Sequence, residues 1–232
     1  MNTADKTTFN LKLKTLLGFV EFIIIIFLFL FAPAGSFNFW QAWVYSIIYI
    51  ISSAIITLYL WRTSPELLAR RVNKGPGTEK EKTQKIAHFL VLILFIAYFV
   101  ISGFDHRFGW SHVPFYIVIL GDILVIAGFF LLFLVFRENA FASSIIEVTT
   151  DQKVITTGLY SIIRHPLYVS GLIMMLGTPL ALGSWWSLLI FIPFTLVIIW
   201  RLLDEEKFLS KNLQGYKEYC QRVRYRLIPF LW

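Results

Sequence analysis

Leu16-Leu17-Gly18-Phe19-Val20-Glu21-Phe22-Ile23-Ile24-Ile25-Ile26-Phe27-Leu28-Phe29-Leu30-Phe31 holds a single ionisable residue, Glu21, in an otherwise uncharged run. At 1.5 Å of rise per residue, about 20 such residues cross the ~30 Å hydrocarbon core of a bilayer. A water-soluble helix would instead interrupt its apolar stripe every three or four residues. Working outward from this run, similar blocks fall at roughly 16–35, 40–61, 86–104, 113–136, 166–182 and 184–203. Composition agrees: 57% of the residues are hydrophobic and 15% charged, against about 25% charged in a soluble domain. The expectation is an all-α, polytopic integral membrane bundle of five or six transmembrane helices. Pro179 and Pro193 sit inside the last two blocks, which can therefore be tilted, broken or partly re-entrant.

The connectors set the topology. Phe31-Ala32-Pro33-Ala34-Gly35-Ser36 is uncharged and turn-like, so the first two spans form a hairpin. Residues 62–85, with Pro65, Gly75-Pro76-Gly77 and mixed Lys and Glu, are expected to be a solvated loop. Placing the N-terminus inside puts 20 of the 21 Lys and Arg on inner segments, with Arg107 outside. Such segregation follows the positive-inside rule and predicts both termini in the cytoplasm. The same distribution, scattered over several connectors, argues against a nucleic-acid partner despite a net charge of +7. The first span is too long for a signal peptide and lacks a convincing cleavage site. One cysteine, Cys220, excludes an intrachain disulfide and a cysteine-based zinc site. The tail from Lys207, with Tyr216, Tyr219, Tyr225 and Trp232 among basic residues, is expected to lie against lipid headgroups.

Chemistry concentrates in two places. Thr157-Gly158-Leu159-Tyr160-Ser161-Ile162-Ile163-Arg164-His165-Pro166-Leu167-Tyr168-Val169-Ser170-Gly171 gathers Arg, His and two Tyr at the mouth of a span. Pro166 suits the first helical turn there. Some 40 residues on comes Arg201-Leu202-Leu203-Asp204-Glu205-Glu206. The two spans between them go out and back, so both clusters return to one membrane face. Arg201 and Glu205, four apart, share a helix face, whereas Glu206 points about 100° away. Taken alone, an Arg–Glu pair at a helix end is common helix furniture.

Together the clusters resemble the isoprenylcysteine carboxyl methyltransferase family and its relatives among membrane phospholipid methyltransferases. The resemblance rests on Gly158-Leu159-Tyr160, Arg164-His165-Pro166-Leu167-Tyr168 with Gly171, Arg201, Glu205-Glu206, Gly215-Tyr216-Lys217-Glu218-Tyr219 and Arg226-Leu227-Ile228-Pro229. It covers roughly 137–232, a C-terminal methyltransferase core following N-terminal helices over 1–136. Asp105-His106-Arg107-Phe108-Gly109-Trp110 looks like a bacterial branch, which implies the inner, cytoplasmic membrane. The resemblance implies S-adenosyl-L-methionine as cofactor and an amphiphilic or small acceptor: a prenylcysteine-like carboxylate, a lipid amine or a thiol. By position, Gln152, Val154, Ile155, Tyr160, His165, Pro166, Leu167, Tyr168, Glu205 and Glu206 would bind the cofactor, and Arg201 would orient the acceptor. The family often has His where Gln152 stands.

Those residue types suit the chemistry. Tyrosine faces attract a sulfonium cation, a carboxylate accepts from a ribose diol or an ammonium, and a guanidinium forks onto a carboxylate. A carboxylate acceptor needs no general base near neutral pH. Glu21 and Asp122, inside spans, are functional candidates by location, but protonation or a hydrogen bond to a neighbouring helix accounts for them equally. His106 and His112 lie six apart in the outer connector, poor spacing for a metal without a third ligand; no metal is expected. His88 reads as interfacial, and Trp40, Trp43, Trp110, Trp185 and Trp186 as an aromatic belt. Two rival functions remain. Membrane steroid and sterol reductases share a similar layout and use a nicotinamide cofactor, but tend to carry an acid where this chain has Val169-Ser170-Gly171. A non-catalytic membrane scaffold would use the same motif structurally.

Overall fold

The computed structural model describes residues 3–73, 79, 81–142, 145, 148 and 152–232, with side chains from residue 11 onward in the first helix. Among them the protein is helical throughout. The helices are α1 (Thr3–Ala34), α2 (Trp40–Thr63), α3 (Pro65–Asn73), α4 (Lys82–Phe108) and α5 (Phe115–Glu138), followed by α6 (Pro166–Ala181), α7 (Trp185–Leu188), α8 (Phe191–Asn212) and α9 (Tyr216–Arg222). A 3-10 turn, Gly158–Ser161, precedes α6. Five segments are long and apolar enough to cross a bilayer: Leu11–Ala34, Trp40–Thr63, Lys82–Phe108, Phe115–Glu138 and Trp185–Asn212. Pro166–Ala181 is a shorter apolar helix, about 24 Å long at 1.5 Å per residue. The chain is a multi-pass membrane protein, and its outward surface is correspondingly apolar: Leu17, Ile24, Ile47, Ile55, Phe130 and Leu196 all face out.

Lipid tails are as apolar as leucine side chains, so helices in a membrane associate through close packing rather than through water release. The α5–α6 pair illustrates this. A Cβ on Gly121 would lie 2.2 Å from the Ala181 nitrogen, and one on Gly177 would lie 2.7 Å from the Gly121 carbonyl oxygen. One on Gly128 would meet Met174 at 2.2 Å. The two backbones therefore touch along the pair, and α6 is fixed against α5. At the far end Asp105 ties α4 to the α6–α7 turn, its Oδ1 accepting from the Ser111 N–H (2.7 Å) and its Oδ2 from the Ser111 and Ser184 hydroxyls. Arg107 packs against Gly35 at this same end.

Two expectations are corrected. Part of 62–85 is helix, not loop: Pro65 opens α3, and Leu67 and Leu68 bury against the bundle because the apolar residues fall on one side of a short amphipathic turn. Gly75-Pro76-Gly77 lies outside the described residues. The tail also packs differently. Tyr216 and Tyr219 are 4% and 2% exposed, and α9 folds onto the protein with Leu213 and Val223 in a small core of its own. The tyrosines there serve protein packing, while Ile228, Phe230 and Leu231 are the exposed apolar residues of the tail.

Candidate active site

The tail is held to the corner before α6 by backbone pairing: Arg164 N donates to Tyr225 O (2.9 Å) and His165 N to Arg226 O (3.1 Å). His165 precedes the helix, and Pro166 occupies its first turn, where a missing N–H costs nothing. Upstream, Gly158 adopts φ +56° with the Glu138 carboxylate 3.0 Å from where a Cβ would stand; a side chain there would be strained and crowded. Thr157 donates its hydroxyl to that same Glu138 carboxylate. These interactions bring 152–168, the C-terminal half of α8 and the tail to one end of the bundle.

They enclose a cavity of about 110 Å³ lined by Asn139, Phe141, Ala142, Ile145, Gln152, Lys153, Val154, Ile155, Tyr160, Arg164, His165, Leu167, Tyr168, Glu205, Leu209, Leu213, Tyr216 and Tyr219. Of the residues singled out in the sequence, Gln152, Val154, Ile155, Tyr160, His165, Leu167, Tyr168 and Glu205 face this one space. Pro166, Arg201 and Glu206 stand behind it. The adjacent glutamates have different partners. The Tyr168 hydroxyl donates to Glu205 Oε2 at 2.5 Å, leaving that carboxylate on the cavity wall. Glu206, 8% exposed, is consumed by the scaffold: Oε1 takes Arg164 Nη1 (2.9 Å) and His165 Nε2 (3.2 Å), and Oε2 takes Arg226 Nε (2.9 Å). It therefore ties α8, the corner and the tail together. Arg201 Nη2 donates to Glu79 Oε1 at 2.6 Å and Nη1 to the Gln84 carbonyl at 3.4 Å, which anchors α8 to the start of α4.

The tyrosines are held neutral. Burial, opposed by the bond from Asn139 Nδ2 (2.8 Å) and reinforced by the charge of Glu205, pushes the Tyr160 hydroxyl up to about 12. Burial likewise raises Tyr216 and Tyr219. The Tyr219 hydroxyl donates to the Tyr160 carbonyl (2.7 Å). Two buried polar atoms on the cavity-lining residues, Tyr216 Oη and Arg164 Nε, have no hydrogen-bond partner among the described residues. Such groups are costly unless something completes them.

Sequence reasoning misses several participants. Glu79, 2% exposed and 3.6 Å from His88 Nδ1, stands 122 positions from Arg201 in a mixed-charge stretch that looks fully solvated. The pattern around Tyr216 suggests an interface residue, and Asn139 carries no signal at all. Asp122 is buried with Oδ1 unpartnered among the described residues; Glu21 faces a groove between helices. His106 stacks on Phe39 at 4.0 Å, and no metal-ligand cluster occurs among the described residues.

Comparison with known proteins gives three relevant findings. Residues 116–215 match the family model for phospholipid methyltransferases. The chain is 33% identical over 105 residues to a delta(14)-sterol reductase of Mus musculus, covering 42% of this chain and 25% of that protein. It is 33% identical over 79 residues to a protein-S-isoprenylcysteine O-methyltransferase of Schizosaccharomyces pombe, covering 32% of each. The chain thus spans a quarter to a third of the length of these relatives.

Proposed function

We propose, with the phospholipid methyltransferase match across residues 116–215 as the premise, that the chain is an S-adenosyl-L-methionine-dependent methyltransferase at the cytoplasmic face of its membrane. Its acceptor is an amphiphilic or small molecule, and the reacting core is 137–232 carried on α5. The observation that carries this reading is the single cavity in which Tyr160, Tyr168, Glu205 and Tyr216 converge. The donor set fits the cofactor. Glu205 supplies a carboxylate for an ammonium or a ribose diol, and the Tyr160 and Tyr168 faces favour a sulfonium. Tyr216 Oη and Arg164 Nε are buried and await partners. Bound there, the sulfonium supplies a methyl group that is already activated, so the protein's task is alignment and exclusion of water. Tyr168 positions the Glu205 carboxylate, Asn139 and Tyr219 hold Tyr160, and Glu206 keeps the corner and tail closed over them.

The enclosed volume of about 110 Å³ is below the ~300–1,000 Å³ of small-molecule sites. Binding therefore requires the wall of Phe141, Ala142, Ile145 and Gln152–Ile155 to move outward.

The match to a sterol reductase favours a second reading, reduction with NADPH. Arg164 Nη1 and Nη2 are committed to Glu206 and to the Arg224 carbonyl, so the cation that the cavity wall offers to a nucleotide phosphate is Lys153. Thermal stability of the purified protein, measured with S-adenosylhomocysteine and with NADPH, separates the two. Stabilisation by S-adenosylhomocysteine alone supports methyl transfer. Stabilisation by NADPH alone replaces it, and none by either favours a scaffold.

A further inference from the structure

A second cavity lies on the membrane-facing side, where α1 stands away from α2 and α5. It measures about 730 Å³, within the ~300–1,000 Å³ of small-molecule sites. Its walls are mostly apolar, with Gly18 and Phe22 from α1, Ile56 from α2, and Phe129 and Leu132 from α5, and carry the hydroxyls of Tyr49, Ser53 and Thr57 on the α2 side. Charge is confined to particular positions. Lys14 and Arg71 sit at the end nearest the candidate active site, with Lys14 Nζ bonded to Asn73 Oδ1 at 3.1 Å. Glu21 also lines the groove, seven residues along α1 from Lys14 and so about 10 Å deeper.

Arg71 is the unusual member. Its guanidinium lies 4.5 Å from the Phe136 ring centroid, and Nη1 donates to the Ala142 carbonyl at 3.1 Å. No carboxylate pairs with it among the described residues. Burial pushes its pKa down to about 10, so it remains a cation at neutral pH. A half-buried guanidinium held by one carbonyl and one aromatic face has, among the described residues, no counter-ion of the kind that normally accompanies a desolvated charge. Ala142, which it contacts, also lines the active-site cavity, so Arg71 forms part of the partition between the two spaces.

We propose that this groove holds the hydrocarbon chain of a monoanionic membrane amphiphile, with its anionic headgroup on Arg71. The apolar walls take the chain, and the guanidinium fork takes the head. The cations of the groove, Lys14 and Arg71, stand at one end of it, which fixes the orientation. Use of this ligand as methyl acceptor rests on the methyl-transfer reading; its binding does not.

The test uses the full chain in phosphatidylcholine nanodiscs and three photoreactive C16 probes that differ only in headgroup: carboxylate, primary amine and alcohol. Labelled peptides are mapped by mass spectrometry, and S-adenosylhomocysteine binding is measured on the same samples. The carboxylate should label the groove segments of α1, α2 and α5 about tenfold more than the other two, as expected for a charge-assisted pair. Arg71→Gln should reduce that preference, and Arg71→Gln combined with Lys14→Gln should abolish it. Gly18→Trp should block labelling without disturbing the fold, because a Cβ there meets nothing within 4 Å and Gly is a poor helix former; it carries the test if the Arg71 variant fails to fold. Equal labelling by all three headgroups, preference for the amine, or labelling undiminished by Gly18→Trp overturns the proposal. Groove labelling without S-adenosylhomocysteine binding would leave this site standing and remove the methyl-transfer reading; the reverse would remove only the groove.

Discussion

Replacing Glu206 with alanine removes, in one step, the partner of Arg164, His165 and Arg226. The side chains of Glu206 and Arg164 are 11% and 9% exposed, and that of Arg226 is 30% exposed. Stripping the anion from a buried pair costs about 3–5 kcal/mol. The partial exposure of Arg226 argues for the lower end, about 3 kcal/mol. Because Glu206 holds the tail to the corner and to α8, the cost falls on local opening of α9 before it falls on the whole bundle. Cys220, the only cysteine, lies in α9 and is half-buried. Its rate of reaction with a maleimide therefore reads the open population. At 1.4 kcal/mol per decade, the rate should rise about 100-fold in Glu206→Ala. Glu206→Gln keeps an acceptor but not the charge, and should fall between. Glu205→Gln, with its carboxylate on the cavity wall, should leave Cys220 protected while reducing S-adenosylhomocysteine affinity. An unchanged Cys220 rate in Glu206→Ala would refute the assignment of Glu206 as the clamp.

Four further outcomes follow from the geometry. Gly121→Ala places a methyl 2.2 Å from the Ala181 nitrogen and should destabilise by about 1–3 kcal/mol, whereas Gly171→Ala, which meets nothing within 4 Å, should be neutral or stabilising in denaturant melts. Tyr216→Phe removes a hydroxyl with no partner among the described residues; stability should hold while S-adenosylhomocysteine binding weakens about three- to tenfold by calorimetry. The Tyr160 hydroxyl is pushed up to about 12 in the folded protein, first by burial, against about 10 unfolded. The unfolded chain then loses this proton first, so stability should fall between about pH 10 and 12, by roughly 2–3 kcal/mol. Tyr160→Phe should make that slope shallower in alkaline melts, with buried Tyr216 and Tyr219 supplying the remainder. Arg201→Lys loses the planar fork that reaches Glu79 and the Gln84 carbonyl and should lower thermal stability; loss of acceptor methylation at unchanged stability and S-adenosylhomocysteine affinity would instead assign Arg201 to the acceptor.

What can be read from the sequence divides along physical lines. Uninterrupted apolar runs report spans directly, since a lipid-facing helix must be apolar on every outward residue; α1, α2, α4 and α5 stand close to where the runs place them. The corner from Gly158 to Tyr168 is legible because its residues are local to one another and chemically distinctive. The convergence of Glu205 with that corner follows from an out-and-back hairpin. Glu79 is not legible: its partner Arg201 is a helix and a bundle away, and a carboxylate among lysines looks like any solvated acid. Arg71 is hidden for the same reason, inside a stretch whose composition suggests a loop. Tyr216 and Tyr219 point to lipid headgroups in the sequence because an amphipathic aromatic helix presents the same pattern to a membrane as to a protein surface. The backbone pairing of Arg164 and His165 with the tail, together with the burial of both tyrosines and the bond from Tyr219 to the Tyr160 carbonyl, decides between the two.

The central claim is that one small molecule is held jointly by the corner before α6, Glu205 and the tail. The most direct measurement is an experimental structure of the protein with S-adenosylhomocysteine, in a lipid nanodisc. The account predicts ligand density touching Tyr160, Tyr168, Glu205 and Tyr216, with the wall at Ala142 and Gln152–Ile155 displaced outward. Density at another place in the bundle, or saturating ligand with that cavity unchanged and empty, would contradict it.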